Sequence, residues 1–365
     1  MARRALLVAG GGCAGLSLAV HFLEAGIDDR PIVVIEPRRH YASDRTWCSW
    51  RFGSHPFEAA VGHQWNRWAV SNGPSRAIAA STRYPYQCIA AGDFYALALD
   101  RLRNAPNVDL HLGTRVTGCE QTSHQVRVET DRGHREGAYL FDSRPPKATS
   151  GLTQLFHGLF VRTSAPVFDP ETVELMDFRL APTTSSRRPD EICFAYLLPF
   201  STTEALVEAT YFVRSPHDRP LDVSSVPESE AKIREYLAAH HGVGPHLEIQ
   251  GEEVGSIPMT PELAAPQSAT ARVIDIGIRG GHARASSGYA FGAIQATARR
   301  IAQAVRSGRS PAAVTTWRRR ARFLDRVFLA FLEREPGLAP LAFESLFRRV
   351  PADGLVRFLA DRDHL

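Results

Sequence analysis

The apolar run Ala5-Leu6-Leu7-Val8-Ala9 breaks abruptly into Gly10-Gly11-Gly12-Cys13-Ala14-Gly15. No other feature of the chain restricts its fold as much. The run suits a strand buried on both faces. Residues from Leu16 to Ala25 have helical character and stop at Gly26, a natural helix end. Pro31 then introduces a second apolar strand, Ile32 to Ile35, which ends in Glu36. The first 36 residues therefore read as one complete βαβ unit. Within it Gly10-x-Gly12-x-x-Gly15 is a dinucleotide fingerprint in its proper context. Gly10 permits the tight turn, Gly12 lets backbone approach a pyrophosphate, and Gly15 lets helix and strand pack closely. The helix start presents its partial positive charge to the phosphates, and Glu36 is placed to accept ribose hydroxyls.

The rest of the chain divides around this unit. Asp93 is read as the cap of a helix running to Arg103, since Phe94, Leu97, Ala98, Leu99 and Leu102 recur at helical spacing. Beyond Val108, segments such as Gln125 to Glu129 alternate polar and apolar, as antiparallel strands do. Leu140-Phe141-Asp142 returns to the parallel sheet. Strands are expected near Leu159, Leu175, Cys193 and Thr203, with loop-like breaks at Ala181–Pro189 and Ser215–Pro227. A second glycine cluster lies between Gly277 and Gly292, and the remainder reads as helical. The expected fold class is α/β: a Rossmann-type FAD-binding domain of glutathione-reductase-like form, an inserted antiparallel β-sheet substrate domain, and a helical C-terminus. The expected boundaries are 1–150 with 256–310 for the cofactor domain, 151–255 for the β-rich insert, and 311–365 for the terminal helices.

Composition removes several function classes. The 365 residues are 44% hydrophobic and 22% charged, with a formal net charge of +4. That charge is too small, and its arginines too scattered, for nucleic-acid recognition. Five cysteines without close spacing read as reduced thiols of a cytoplasmic protein rather than a disulfide framework or zinc site. No metal site is expected, because the histidines show no ligand spacing. No apolar run is long enough to span a bilayer. A site at the extreme N-terminus with a second glycine segment after a long insert favours FAD over a nicotinamide as the bound cofactor.

Several ordered blocks then resemble the bacterial-type lycopene β-cyclases over almost the whole chain. These are Asp44-Arg45-Thr46-Trp47-Cys48, Tyr86-Gln87-Cys88-Ile89 with Phe94, Asp142-Ser143-Arg144-Pro145 and Met176-Asp177-Phe178. Leu206-Val207-Glu208-Ala209-Thr210 is similar to the family's Phe-Leu-Glu-Glu-Thr. Gly255-x-Ile257-Pro258-Met259, Gly277-x-x-Gly280-Gly281, Ser287-Gly288-Tyr289-Ala290-Phe291 and Val356-Arg357-Phe358-Leu359 follow in order. The chain departs from the pattern where Ala209 replaces the motif's second acid and where Ala285 replaces a proline.

The resemblance implies a FAD-dependent lycopene cyclase that closes β-ionone rings on a linear polyene without net electron transfer. It also implies reduced FAD, NADPH as the electron source, and Glu208 as the catalytic acid. Such chemistry needs an acid kept protonated in an apolar place, a means of stabilising a carbocation, and a base. Glu208 lies among Leu206, Val207 and Ala209 on an expected strand, where burial raises a carboxyl pKa. Gly10, Gly12, Gly15, Glu36, Arg45, Gly277, Gly280, Gly281, Gly288 and Tyr289 are the expected cofactor contacts. Trp47 and Phe291 are the expected substrate contacts, with core packing the alternative for each.

A lipophilic substrate implies work at a membrane surface and contact with other carotenoid-pathway enzymes. The basic, apolar stretch from Trp317 to Leu332 is the candidate for peripheral attachment. The competing readings are a FAD/NADPH monooxygenase acting on a hydrophobic substrate, an isoprenoid reductase, and a non-catalytic flavin- or carotenoid-binding protein. Ile276, where monooxygenases usually carry an Asp, weighs against the first.

Overall fold

The computed structural model describes residues 4–146, 151–180, 192–215, 229–244, 246–264, 268 and 270–361. Two of its three sheets are large. The first is built outward from β1 (Ala5–Ala9), whose residues Leu6 to Ala9 are fully buried. β2 (Ile32–Glu36) pairs parallel on one side and the far half of β11 (Gly133–Asp142) pairs parallel on the other. β8 (Val108–Leu112) continues the parallel run beyond β2. The near half of β11 instead pairs antiparallel with β10 (Val126–Thr130), which carries β9 (Val116–Gln121). β17 (Val273–Asp275) joins Leu140–Asp142 in parallel.

Two helices flank this sheet in the first core. α1 (Cys13–Glu24) starts inside the glycine fingerprint, earlier than the expected Leu16, and ends where Gly26 takes φ +68°. α2 (Ala91–Arg103) is not capped by Asp93: Ala90 holds the cap position, and Asp93 sits in the first turn, where its charge complements the helix dipole. Leu16, Phe22, Ile32, Val34, Phe94 and Phe141 meet here, joined by Ile301 from α4 (Phe291–Arg306).

The second large sheet has the order β16 (Glu248–Met259), β12 (Gly151–Arg162), β15 (Glu204–Ser215), β14 (Ile192–Pro199), β13 (Thr172–Asp177), β5 (Arg67–Ser71) and β6 (Arg76–Ala80). All its pairings are antiparallel except that of β13 with β5. Thus residues 67–80, which precede the expected insert, extend the same sheet. The strands expected near Leu159, Leu175, Cys193 and Thr203 are β12 to β15; the loop-like breaks at 181–189 and 216–227 lie outside the described residues.

Strand alternation gives this sheet two faces. Val207, Ala209 and Tyr211 of β15 pack with Ile233, Tyr236 and Leu237 of α3 (Ser229–His241). Leu206 and Phe212 point the other way, into a core with Trp68, Phe194 and the C-terminal helices α5 (Arg319–Arg334), α6 (Ala339–Arg349) and α7 (Ala352–Leu359). Trp50, Tyr86 and Cys88 enter that same core from the small third sheet, in which β7 (Tyr86–Ala90) lies between β3 (Thr46–Trp50) and β4 (Val61–Trp65).

Candidate functional site

At the turn after β1, Gly10 takes φ +96° and its N–H reaches the Ile35 carbonyl at 2.8 Å. A Cβ on Gly15 would stand 1.9 Å from the Gly10 carbonyl oxygen, so that helix–strand contact requires glycine. α1 starts at Gly12 without a side-chain cap, which leaves first-turn amides for a ligand. Beside Gly12 an added Cβ meets only Arg38 Nη2, at 4.0 Å. Glu36 is buried and braces the turn: its carboxylate accepts the Gly11 N–H at 2.6 Å and the Arg38 N–H and Nε–H at 2.8 Å each. Arg38 and Tyr41 both donate to the Gly11 carbonyl, at 3.2 and 3.0 Å. Neither stood out in the sequence, because only the folded turn brings them over the glycines.

The late glycine segment joins this turn. Gly277, at φ +65°, lies so near α1 that a Cβ on it would be 2.8 Å from Ala14 Cβ. Gly280 has the Asp275 carbonyl oxygen 2.4 Å from the same test position. The Gly281 carbonyl accepts the Trp317 indole N–H at 2.7 Å. Gly288, at φ +74°, abuts Gln154 of β12, bringing the segment to the second sheet. The Asp-x-Arg block is a strut here. Asp142 is buried and takes Arg144 through Nε at 2.9 Å and Nη2 at 2.8 Å, and its backbone carbonyl accepts the Ile276 N–H. His282 accepts the Gly277 N–H at Nδ1, and burial pushes its pKa down to about 3, so it stays neutral. The C-terminal block has a matching role: buried Arg284 donates to the carbonyls of Phe358 and Leu359 and pairs with Asp325 at 3.0 Å. The Ser287 hydroxyl is buried without a partner among the described residues. An orphaned hydroxyl, two glycine turns and an uncapped helix start fit a dinucleotide laid between the two segments.

Glu208 is 7% exposed and sits on the face of β15 that carries Leu206 and Phe212. Ala209 points to the opposite face, with α3, so a second acid there would not meet Glu208. A carboxylate meets it nonetheless. On β12, Gly158 is in register with Glu208 on one side and with Glu253 of β16 on the other. A Cβ on Gly158 would lie 2.9 Å from Glu208 Cγ and 3.3 Å from Glu253 Cγ, so glycine leaves the two carboxyls free to meet. Burial, followed by the neighbouring charge of Glu253, holds Glu208 well above the usual carboxylate range. Glu253 is also raised by burial, but the Thr46 hydroxyl, which donates to its Oε2 at 2.7 Å, works the other way. The sequence reading missed Glu253. The only signal was an acidic pair, Glu252-Glu253, within a run that ends in the Gly-x-Ile-Pro-Met block.

Aromatic side chains link this pair to the late glycines. Tyr196 of β14 stands in register with Glu208, and its hydroxyl lies 2.9 Å from that of Tyr86, which donates to Tyr289 at 3.2 Å. Trp50 packs on both Tyr86 and Tyr289, with ring centroids 5.0 and 4.8 Å away. Cys48 and Cys88 face each other across β3 and β7. Thr46, Cys48 and Trp50 share one face of β3, and Trp47 takes the other. Trp47 packs on Phe94 at 5.0 Å and belongs with the first core, as does Phe291. These two expected substrate contacts therefore lie apart from Glu208, and Trp50 lies with its aromatic neighbours. Arg45 is half-exposed, 3.9 Å from Asp44, and its charge acts on Glu253. Asp177 of the Met-Asp-Phe block is buried and anchors α3 by accepting the Tyr236 hydroxyl at 2.7 Å.

Comparison with solved structures places the architecture among FAD-dependent oxidoreductases and monooxygenases. A geranylgeranyl bacteriochlorophyll reductase-like protein from Thermoplasma acidophilum aligns with TM-score 0.58 and 11% identity, covering 100% of this chain and 92% of that one. A Klebsiella pneumoniae HpxO variant complexed with FAD gives 0.59 and 15%, covering 99% and 98%. The flavin-dependent monooxygenase PieE, in complex with FAD and substrate, gives 0.59 and 15%, covering 99% of this chain and 71% of its own. No curated protein sequence matches this chain. The family model described as "Lycopene cyclase protein" matches residues 5–365. A buried acid on the motif strand, the glycine turns and a match over nearly the full length agree: this chain belongs to the lycopene cyclase family.

Proposed function

We propose that the protein binds reduced FAD and cyclises the ends of a linear polyene such as lycopene to β-ionone rings, with Glu208 as the acid. The observation that carries this reading is a buried carboxyl, its pKa raised by burial, beside Trp50, Tyr86, Tyr196 and Tyr289. An acid in water at neutral pH is ionised; one held as Glu208 is keeps its proton for transfer. Glu208 delivers that proton to the terminal trisubstituted double bond, the neighbouring double bond attacks the tertiary cation, and loss of a ring proton leaves the new alkene. The ring π faces stabilise positive charge during closure. The cofactor fits along Gly10–Gly15, Glu36 and the Gly277–Tyr289 segment, and in its reduced form supplies negative charge near the cation, with NADPH as the ultimate electron donor. Residues 1–150 with 256–310 serve the cofactor in this reading, while 151–255, joined by the strands of 67–80, serve the substrate.

Access to a lipid-soluble substrate is assigned to the C-terminal helices. Among the described residues no helix is long and apolar enough to cross a membrane. Yet Phe323, Val327, Leu338 and Leu341 are 49–62% exposed, near the exposed Arg319, Arg320 and Arg326. Such a face suits an anionic leaflet.

The test is anaerobic incubation with FAD, reductant and lycopene in liposomes. Cyclised product of unchanged mass that is lost in Glu208→Gln, while flavin still binds, is the expected result. NADPH oxidation coupled to oxygen consumption and an oxygenated product would replace the cyclase with the monooxygenase reading.

A further inference from the structure

We propose that Glu208 and Glu253 form a one-proton carboxyl pair across Gly158, in which Thr46 fixes Glu253 as the ionised member and leaves the proton on Glu208. The proposal deepens the cyclase reading and rests on it for the role of Glu208; the pair itself rests on geometry.

Three adjacent strands create the arrangement. Gly158 on β12 is in register with both glutamates, one on each neighbouring strand. Any larger residue at 158 would stand between them. The side chains are 7% and 5% exposed, too little for water to solvate two charges. Two ionised carboxylates have only acceptors, so side chains brought together across Gly158 can bond to one another only through a shared proton. Like charges this close and this buried do not both ionise.

The surroundings decide which member keeps the proton. Glu253 Oε2 receives the Thr46 hydroxyl at 2.7 Å, and the positive charge of Arg45 also favours its ionised form, partly offset by Asp44. Glu208 faces Tyr196 from β14 and Cys48 from β3, and beyond them Tyr86 from β7 and Tyr289 from the late segment. Burial pushes the hydroxyls of Tyr86, Tyr196 and Tyr289 and the thiol of Cys48 up, so these groups do not carry charge. The donor set is therefore lopsided toward Glu253.

The pair also closes the proton balance. Ring closure forms one C–H bond at the chain end and one C–C bond; it consumes the terminal π bond and breaks one C–H bond in the ring, whose electrons restore the second alkene. One proton leaves the pair and one returns, so the pair ends in its starting state and no electrons are transferred. Ala209, which lacks the motif's second carboxyl, is no obstacle, because the partner comes from β16.

Infrared titration of the full-length protein tests this without any turnover. Wild type is expected to show a carboxylic-acid C=O band at neutral pH that is absent in Glu208→Gln. In Glu253→Gln the band's midpoint is expected to fall by at least about one unit, since a tenfold weaker hold on the proton follows from loss of the neighbouring charge. In Thr46→Val the midpoint is expected to rise, because the ionised form loses a donor. Opposite shifts from two neighbouring substitutions do not arise from simple loosening; flavin binding and circular dichroism check folding. No protonated band in the wild type, or an unmoved midpoint in Glu253→Gln, overturns the proposal. If the titration behaves as expected but no polyene is cyclised, the pair stands and the cyclase reading falls. If cyclisation depends on Glu208 but Glu253→Gln titrates like wild type, the reverse holds.

Discussion

Asp325→Ala removes the counter-ion of a guanidinium that has no route to solvent. The side chains of Arg284 and Asp325 are 2% and 3% exposed, and Nε and Oδ1 lie 3.0 Å apart. Ser286 donates to the same carboxylate oxygen at 2.7 Å, so truncation also orphans a hydroxyl. Breaking a buried pair from one side costs about 3–5 kcal/mol. Arg284 keeps the carbonyls of Phe358 and Leu359 and its stacking on Trp317 at 5.7 Å, which favours the lower figure, about 3 kcal/mol. At roughly 2–4 °C per kcal/mol, and less for a chain longer than 250 residues, Tm is expected to fall by about 5–10 °C. Scanning calorimetry with urea unfolding reads both quantities. The double variant Arg284→Met/Asp325→Leu is expected to recover at least half of the loss, because no buried charge is left unpaired. A single variant within about 1 kcal/mol of wild type, or a double variant no better than the single, would refute the reasoning. Because Arg284 ties the late glycine segment to the C-terminal helices, FAD affinity is expected to weaken in the single variant as well.

Gly15→Ala places a methyl 1.9 Å from the Gly10 carbonyl, so the turn must open; flavin titration is expected to show at least a tenfold loss of affinity, about 1.4 kcal/mol, with the chain still folded. Buried His282 and His21 have folded pKa values pushed down to about 3 and 4, below the unfolded 6.5. The unfolded chain therefore binds more protons between those values, so their contribution is intact above pH 6.5 and declines as pH falls toward 4. Urea unfolding across that window should show His282→Asn lowering the slope by about one proton; an unchanged slope would remove His282 as a source. Replacing Arg319, Arg320 and Arg326 together by Gln is expected to weaken binding to anionic liposomes by about 3 kcal/mol at low salt, and equal binding would discard that face as a docking surface.

The parts of this molecule legible in its sequence are those set by local chemistry. At Gly10, Gly15 and Gly277 a turn or a close approach leaves only glycine, and that demand shows at the position itself. The apolar run of β1 gave its place in the parallel sheet. The cap was placed three residues late, at Asp93 instead of Ala90, because a carboxylate in the first helical turn and one at the cap look alike in a string of letters. What failed to show depends on register between distant strands. Glu253 becomes the partner of Glu208 only when β16 pairs with β12 so that both acids flank Gly158. The missing acid was sought at Ala209, yet alternation along β15 sends neighbours to opposite faces. The same rule separates Trp47 from Trp50 once β3 is known to be a strand. β5 and β6 join the second sheet through a parallel pairing with β13, for which no turn signal exists.

The central claim is that this protein adds a proton to a polyene end and takes another away. Cyclisation in D2O under anaerobic conditions, with FAD, reductant and lycopene, tests it in one mass spectrum. With the protein equilibrated in D2O and the substrate held to a single turnover, the account predicts one deuterium in the first ring closed, product of unchanged mass in H2O, and neither product in Glu208→Gln. Rings formed without deuterium, or a product heavier by the mass of an oxygen atom or of two hydrogens, would contradict it.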